Sequence, residues 1–122
     1  IFDLVLRRSD LGDPLINDHH AVALGLLSYD EVAKIYEMSA AINKNLLELY
    51  DKAGIMVVDF KIEFGRTEDG TLMLADELSP DTCRLWDKQT GDRMDKDRFR
   101  RDMGRVRETY EEVAERLHNV LK

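Results

Sequence analysis

The segment "VVDFKIEFG", residues 57–65, places three charged side chains at alternate positions in the order acid, base, acid. Side chains of a β-strand alternate between two faces, so Asp59, Lys61 and Glu63 would share one face of a strand. The opposite face would hold the apolar residues Val58, Phe60, Ile62 and Phe64. Two carboxylates beside an amine could bind a cation or offset the charge of a transferred anionic group, so this face is a candidate reaction site.

A tight turn downstream predicts the partner of this strand. Asp69-Gly70 is typical of a two-residue hairpin turn, which would pair the strand over residues 55–65 with "LMLADELS". In that register Glu63 faces Asp76. Directly opposed residues have Cβ atoms about 5 Å apart. The two carboxylates would therefore repel unless a cation lies between them or one of them binds a proton.

Two readings of this acid pair stay open. In the first, Lys61 neutralises the carboxylates and the three residues form a surface ion triad. In the second, Glu63 and Asp76 bind a divalent cation; oxygen ligands without His or Cys favour Mg²⁺, which takes one or two protein carboxylates and completes its shell with water and phosphate. A register shift of one residue would break the predicted pairing.

Further candidates follow the hairpin. The segment "SPDTCRLWD" places Asp81, Arg84 and Trp86 close together. The planar guanidinium of Arg84 suits bidentate binding of a phosphate or carboxylate, although a surface salt bridge is the alternative. The later segment "MDKDRFRR" adds Arg100 and further basic residues, for which a solvated helix face is the default.

The elements that would position these residues can be predicted from helix-capping residues, turn-forming residues and hydrophobic periodicity. Residues 1–8 alternate like a strand, and "HHAVALGLL" favours a short helix. Ser28 and Glu31 form a capping box that begins a long helix ending near Gly54. Residues 80–94 read as a loop, and Asp95 would cap a final helix. The mixture predicts one α+β domain over residues 1–122, with an antiparallel sheet and packed helices.

Composition excludes several classes of protein. The chain has 122 residues, a net charge of −7 and 35% charged residues, which argues against a nucleic-acid module because no basic patch is evident. It has one cysteine, Cys83, so it can form no internal disulfide, and a reducing, cytoplasmic compartment is predicted. No apolar run approaches the length of a membrane span. Helical stripes of apolar residues are compatible with a homo-oligomer as well as with a core.

Taken together, these motifs resemble one enzyme family. "VVDFKIEFG" followed by "LADELSPDTCRLWDKQTGDRMDKDRFR" resembles SAICAR synthetase (phosphoribosylaminoimidazole-succinocarboxamide synthase), and "SDLGDPLIND" fits the same family upstream. The motifs D-x-K-x-E-F-G and S-P-D-x-x-R-L-W-D are specific in combination, and their sequences are closer to the bacterial form of the enzyme than to the animal bifunctional form. The resemblance implies the C-terminal part of an ATP-grasp-related α+β fold.

The resemblance also implies a reaction. This family uses ATP to join L-aspartate to the carboxylate of the aminoimidazole ribonucleotide CAIR, giving SAICAR, ADP and phosphate. By this resemblance Glu63 and Asp76 bind Mg²⁺, and Glu63 and Lys61 contact ATP. Lys61 lies beside the transferred phosphoryl group, and Asp59 orients Lys61 or a metal-bound water. The implied substrate-binding residues are Arg84, Asp81, Asp13 and Arg100.

The chain also departs from that family. The family's N-terminal nucleotide-binding sheet has no counterpart here, and the opening "IFDLVLRR" starts without Met, so a fragment or a processed chain is expected. A fragment of this kind would not turn over alone. Two rivals remain: a non-catalytic interaction module that pairs through its exposed first strand, and another ATP-dependent phosphotransferase that uses the same acid pair.

Overall fold

A computed structural model describes all residues from Ile1 to Lys122. Six strands and four α-helices follow one another along the chain. The strands are β1 (Leu4–Val5), β2 (Leu15–Ile16), β3 (Ile55–Phe60), β4 (Glu63–Arg66), β5 (Leu72–Ala75) and β6 (Cys83–Asp87). The helices are α1 (Asp18–Ala23), α2 (Tyr29–Lys52), α3 (Asp97–Arg100) and α4 (Val106–Leu121), and a 3₁₀ turn spans Ser9–Leu11.

The strands form three separate two-stranded antiparallel sheets, which pair β1 with β2, β3 with β6, and β4 with β5. The α+β class predicted from the sequence is therefore confirmed, whereas its relation to the ATP-grasp fold stays a prediction. The chain divides into two compact units, Ile1–Ala40 and Ala41–Lys122. The single domain predicted from the sequence likewise stays a prediction. No helix combines the length and apolar character that crossing a membrane requires.

The first unit confirms one predicted helix start and corrects one predicted strand. The Ser28 hydroxyl accepts from the Glu31 amide at 3.1 Å and the Glu31 carboxylate accepts from the Ser28 amide at 3.0 Å, so the capping box that begins α2 is confirmed. The strand predicted over residues 1–8 is wrong in extent, because only Leu4 and Val5 are in β-structure. Their partner, β2, follows the 3₁₀ turn.

The core of the second unit lies under the sheet of β3 and β6. Alternate residues of both strands point inward, so Ile55 and Val57 meet Leu85 and Cys83 in a buried layer. Leu85 has no exposed surface. Tyr50 from α2, Met94, and Val113 from α4 complete the buried cluster. This layer holds the opposite, outward face of β3 and β6 in a fixed register.

The single strand predicted over residues 55–65 is wrong. The chain leaves the first sheet after Phe60, and Glu63 enters a different sheet with β5. A register shift between Val57 and Asp59 also breaks the alternation, so Val58 is 42% exposed and the predicted apolar face does not form as one surface. A β-bulge adds one residue to one strand, which reverses the direction of the side chains that follow it.

The predicted hairpin register is also wrong, by one residue. Glu63 pairs with Ala75 and Phe64 with Leu74, so Glu63 and Asp76 are not directly opposed. The reason is the turn: the Thr67 amide donates to the Thr71 carbonyl at 3.0 Å, which leaves a three-residue loop instead of the two-residue Asp69-Gly70 turn. Gly70 has φ +84°, as expected for the left-handed position of such a loop.

Two further elements differ from their predictions. Residues 83–87, within the predicted loop, form β6, whose inward residues alternate with outward Arg84 and half-buried Trp86. The final helix does not run from Asp95: a short helix ends at Arg100, and α4 begins at Val106. Gly104 has φ +71°, a conformation that an α-helix does not accommodate, so the chain turns between the two helices.

Candidate functional site

The bulge in β3 creates the central contact of the candidate site. It places Asp59 opposite Arg84 on β6, and the Arg84 Nη1 donates to Asp59 Oδ2 at 2.8 Å. Both side chains are about half exposed, 52% for Arg84 and 55% for Asp59. Without the extra residue Asp59 would not occupy this position, so a local irregularity of the strand brings two predicted site residues together.

A second carboxylate, Asp97, joins Arg84 to Arg100. Asp97 Oδ2 lies 3.6 Å from the Arg84 Nε, and Asp97 Oδ1 accepts from the Arg100 Nη1 at 3.2 Å. The side chain of Asp97 is only 12% exposed, whereas those of the two arginines are more than half exposed. Asp59, Arg84, Asp97 and Arg100 thus form one continuous chain of ion pairs with two positive and two negative charges.

The position of Asp97 depends on a fully buried neighbour. Asp95 is 1% exposed, and its Oδ1 accepts from the Asp97 amide at 2.8 Å while its Oδ2 accepts from the Leu85 amide at 2.6 Å. One carboxylate therefore anchors the start of α3 to β6. Sequence reasoning missed both acids as site elements, although the i,i+3 spacing of Asp97 and Arg100 is a signal that could have identified their pairing.

Lys61 and Glu63 lie on the segment that connects the two sheets. The Lys61 Nζ is 3.0 Å from the Glu63 Oε1, so this predicted pair does meet. The Lys61 amide donates to the Thr82 carbonyl at 2.8 Å, which fixes the crossover against the segment before β6. The Glu63 side chain is 25% exposed, and the Lys61 side chain is 59% exposed.

Asp76 comes directly after β5 and has the left-handed φ of +70°. Its Oδ1 accepts from the Glu77 amide at 2.9 Å. Because Asp76 lies beyond the paired residues of the strand, strand alternation does not determine its direction. Its predicted role with Glu63 as a metal ligand stays a prediction.

Asp81 is held by a tyrosine from the last helix. The Tyr110 hydroxyl donates to Asp81 Oδ1 at 2.6 Å. Partial burial raises the pKa of the Tyr110 phenol, and the hydrogen bond to the Asp81 carboxylate raises it further, so the phenol remains a donor. The Ser79 hydroxyl also accepts from the Asp81 amide at 3.1 Å. The motifs give no signal for this contact, because Tyr110 lies 29 residues after Asp81 in the chain.

Asp13 belongs to the first unit. Its backbone has φ +49°, and its amide donates to the Arg8 carbonyl at 3.1 Å in the turn after the 3₁₀ segment. The second unit contains the other predicted site residues: Asp59, Lys61, Glu63, Asp76, Asp81, Arg84 and Arg100.

The carboxylates present suit only a cation that needs few protein ligands. No group of three or more His, Cys, Asp or Glu side chains could hold a metal ion. A site built from one or two carboxylates fits Mg²⁺, which keeps several waters and phosphate oxygens, and does not fit zinc or a dedicated calcium cage. The donor set of Glu63 and Asp76 is therefore compatible with Mg²⁺.

Comparison with known proteins gives consistent matches. The family model described as SAICAR synthetase matches residues 1–117. A phosphoribosylaminoimidazole-succinocarboxamide synthase of Fusobacterium nucleatum is 57% identical over 117 residues, which cover 96% of this chain and 49% of the relative.

Solved structures agree. A SAICAR synthetase in complex with ADP has a TM-score of 0.90 and 47% identity, and the match covers 96% of this chain and 50% of that one. A phosphoribosylaminoimidazole-succinocarboxamide synthase from Ehrlichia chaffeensis has a TM-score of 0.92 and 45% identity. This match covers 97% of this chain and 51% of that one. The chain thus spans about half the length of the curated relatives it matches.

Proposed function

The chain belongs to the SAICAR synthetase family, and we propose that it supplies the C-terminal half of an ATP-dependent ligase of purine biosynthesis that joins L-aspartate to CAIR. The main structural support is the chain of ion pairs from Asp59 through Arg84 and Asp97 to Arg100. It places two half-exposed guanidinium groups at the two oxygens of one carboxylate, an arrangement suited to binding an anionic nucleotide.

The proposed reaction explains why the site is rich in charge. A carboxylate is a poor electrophile, so the CAIR carboxylate first attacks the γ-phosphorus of ATP and ADP leaves. The amine of L-aspartate then attacks the acyl carbon, phosphate leaves, and the amine loses a proton as the amide forms. Phosphoryl transfer depends on positioning and on offsetting negative charge rather than on covalent help from the protein.

The residues divide into two groups by role. Glu63 and Asp76 would hold Mg²⁺, which, when bound, offsets charge on the ATP phosphates. Lys61, 59% exposed and paired with Glu63, would lie beside ATP and stabilise the transferred group. Asp59 would orient a neighbouring cationic side chain; in the structure its partner is Arg84 rather than the predicted Lys61.

The second group would bind substrates. Arg84 and Arg100 would bind the phosphate of CAIR or a substrate carboxylate, and Asp81 would contact polar groups of CAIR or L-aspartate. The role of Asp13 in substrate binding stays a prediction from the resemblance. A cytoplasmic enzyme without nucleic-acid or membrane partners is part of the same proposal, which is compatible with a homo-oligomer. The rival reading, an interaction module that pairs through its first strand, has no support among the relatives reported above, which carry the synthase name.

A chimera tests the function. The N-terminal half of the Fusobacterium nucleatum relative is joined before Ile1, and formation of SAICAR from CAIR, L-aspartate and ATP is followed with and without Mg²⁺. We expect Mg²⁺-dependent turnover, reduced by at least about a hundredfold in Glu63→Gln and Arg84→Ala. Arg107→Ala is the matched control, because Arg107 pairs only with Glu111 on an exposed helix face. A folded chimera that makes no SAICAR would refute the proposal.

A further inference from the structure

The carboxylate of Asp97 has a different environment from every other acid of the candidate site. It contacts both Arg84 and Arg100, one with each oxygen. Its side chain is 12% exposed, against 55% for Asp59, the other acid that contacts Arg84. A nearly buried acid between two half-exposed guanidinium groups cannot itself be the group that a substrate reaches first.

We propose that Asp97 is a positioning residue, which holds Arg84 and Arg100 so that both guanidinium groups bind the phosphate monoester of one nucleotide. This inference rests on the proposed function and adds a residue that the motifs did not identify. Arg84 lies on β6 and Arg100 on α3, so without a shared partner their side chains would adopt their rotamers independently. Asp97 supplies that partner.

The anchoring of Asp97 supports this role. Its amide donates to Asp95 Oδ1, and the other oxygen of Asp95 accepts from the Leu85 amide on β6. The backbone of Asp97 is therefore tied to the strand that bears Arg84. Since long arginine side chains lose considerable rotamer entropy when they are fixed, holding them before the substrate arrives lowers the cost of binding.

The inner three charges favour an anion as the ligand. Arg84, Arg100 and Asp97 together have a net charge of +1, and Asp59 brings the chain of ion pairs to zero only while it stays on Arg84. The Arg84 Nη1 is engaged by Asp59, which is half exposed and could yield this position to a phosphate oxygen. The inner contact of Arg84 through its Nε would then remain.

The direction in which one substitution changes the affinity for an anion distinguishes a positioning role of Asp97 from a purely electrostatic one. Asp97→Asn removes a negative charge near the phosphate, so electrostatics alone predicts tighter binding of an anion. Positioning predicts the opposite, because the asparagine amide cannot hold two guanidinium groups as the carboxylate does. The 122-residue chain is titrated with ribose 5-phosphate, with ribose as the unphosphorylated control.

We expect Asp97→Asn to bind ribose 5-phosphate about tenfold or more weakly than the wild type. Asp97→Glu keeps the charge, so its affinity should lie between those of the wild type and Asp97→Asn. Asp92→Asn is the control, because Asp92 is 64% exposed and contacts Arg98 instead of Arg84 or Arg100. Equal or tighter binding by folded Asp97→Asn overturns the inference. If Asp97→Asn does not fold, the affinity of Asp97→Glu is the test, and an affinity equal to that of the wild type overturns the inference.

A ligand-free measurement separates this inference from the proposed function. In the wild-type chain the guanidinium N–H resonances of Arg84 and Arg100 should be protected from exchange with water, and Asp97→Asn should abolish this protection at both residues. Unchanged protection overturns the positioning role even if the chimera makes SAICAR. If the chimera is inactive but the protection is lost as expected, the proposed function fails while Asp97 still orders the two arginines.

Discussion

At the scale of single residues, the site depends on acids that a substrate would not touch. Asp95 is fully buried and accepts two backbone N–H groups, from Leu85 and Asp97. Removing a buried acceptor leaves its donors without partners, which costs more than the hydrogen bonds themselves contribute. Asp95 therefore fixes the relative position of β6 and α3, and with it the distance between Arg84 and Arg100.

Tyr110 allows a prediction about Asp81. Tyr110→Phe removes the donor at 2.6 Å from Asp81 Oδ1. A hydrogen bond to a charged group contributes about 1.5–3 kcal/mol, so kcat/KM of the chimera should fall about tenfold or more if Asp81 binds substrate. Steady-state kinetics with each substrate varied in turn measures the change. Tyr29→Phe removes the hydroxyl of an exposed tyrosine that is hydrogen-bonded to His19, and it should leave kcat/KM unchanged.

Asp87 allows a prediction about pH. Its pKa lies at about 2, chiefly because its carboxylate accepts from the Thr90 amide, with the Arg116 guanidinium and the Gln89 amide adding to the effect. The folded pKa is below the unfolded value of 3.8, so the carboxylate stabilises the fold above about pH 4 and this contribution is lost as the pH falls towards 2.

The contribution of Asp87 should be about 2 kcal/mol at neutral pH. Asp87→Asn should lower the free energy of unfolding by that amount at pH 7, and the gap between variant and wild type should close by about pH 2. Urea unfolding at several pH values measures both. Asp102→Asn serves as the control because Asp102 is exposed. A gap that widens on acidification would contradict the assignment.

At the scale of elements, the long helix α2 gives the clearest link from sequence to structure. Ser28 and Glu31 satisfy each other's backbone amides, and Ser28→Ala should cost about 1 kcal/mol of stability. Thermal or urea unfolding measures the loss. Asn43→Ala, at an exposed position inside the same helix, should be neutral or slightly stabilising because Ala has the higher helix propensity. A loss of similar size in both variants would argue against the cap.

Local signals predicted some elements and failed for others for identifiable reasons. The cap and the glycine terminator of α2 depend on neighbouring residues, so they are readable from sequence. The alternation of "CRLWD" could have indicated β6, but the adjacent turn formers favoured a loop. The bulge at Val58 and the three-residue loop before Thr71 are set by strand partners, which a single sequence does not reveal.

The candidate site follows the same division. The sequence identifies Asp59, Lys61, Glu63 and Arg84, because acid, base and acid alternate and because the motifs resemble a known family. Their actual pairings were not predictable: Asp59 meets Arg84 because of the bulge, and Glu63 pairs with Ala75 because of the loop length. The motifs do not identify Asp97 or Tyr110, because their contacts with Arg84 and Asp81 join residues 13 and 29 positions apart in the chain.

At the scale of the whole molecule, the described residues contain one side of a proposed ligase site. Six predicted metal- or substrate-binding acids and arginines lie on this chain, which nevertheless covers about half the length of the relatives it matches. The structure contains small two-stranded sheets only, and a hairpin such as β4–β5 has little stability unless other elements pack on it. The remaining ATP contacts would come from the other half.

By itself the chain supplies only part of the proposed ATP site. The isolated 122-residue protein should form no SAICAR, and titration calorimetry should show no micromolar binding of Mg²⁺–ATP, because two carboxylates and one lysine cannot enclose a nucleotide. Adding the separately produced N-terminal half of the Fusobacterium nucleatum relative should restore some turnover, since binding of the two halves recreates the enclosed site. The same half mixed with Glu63→Gln should remain inactive. Micromolar binding together with product formation by the chain alone would show that these residues suffice, and the proposed division of the site between two halves would then be wrong.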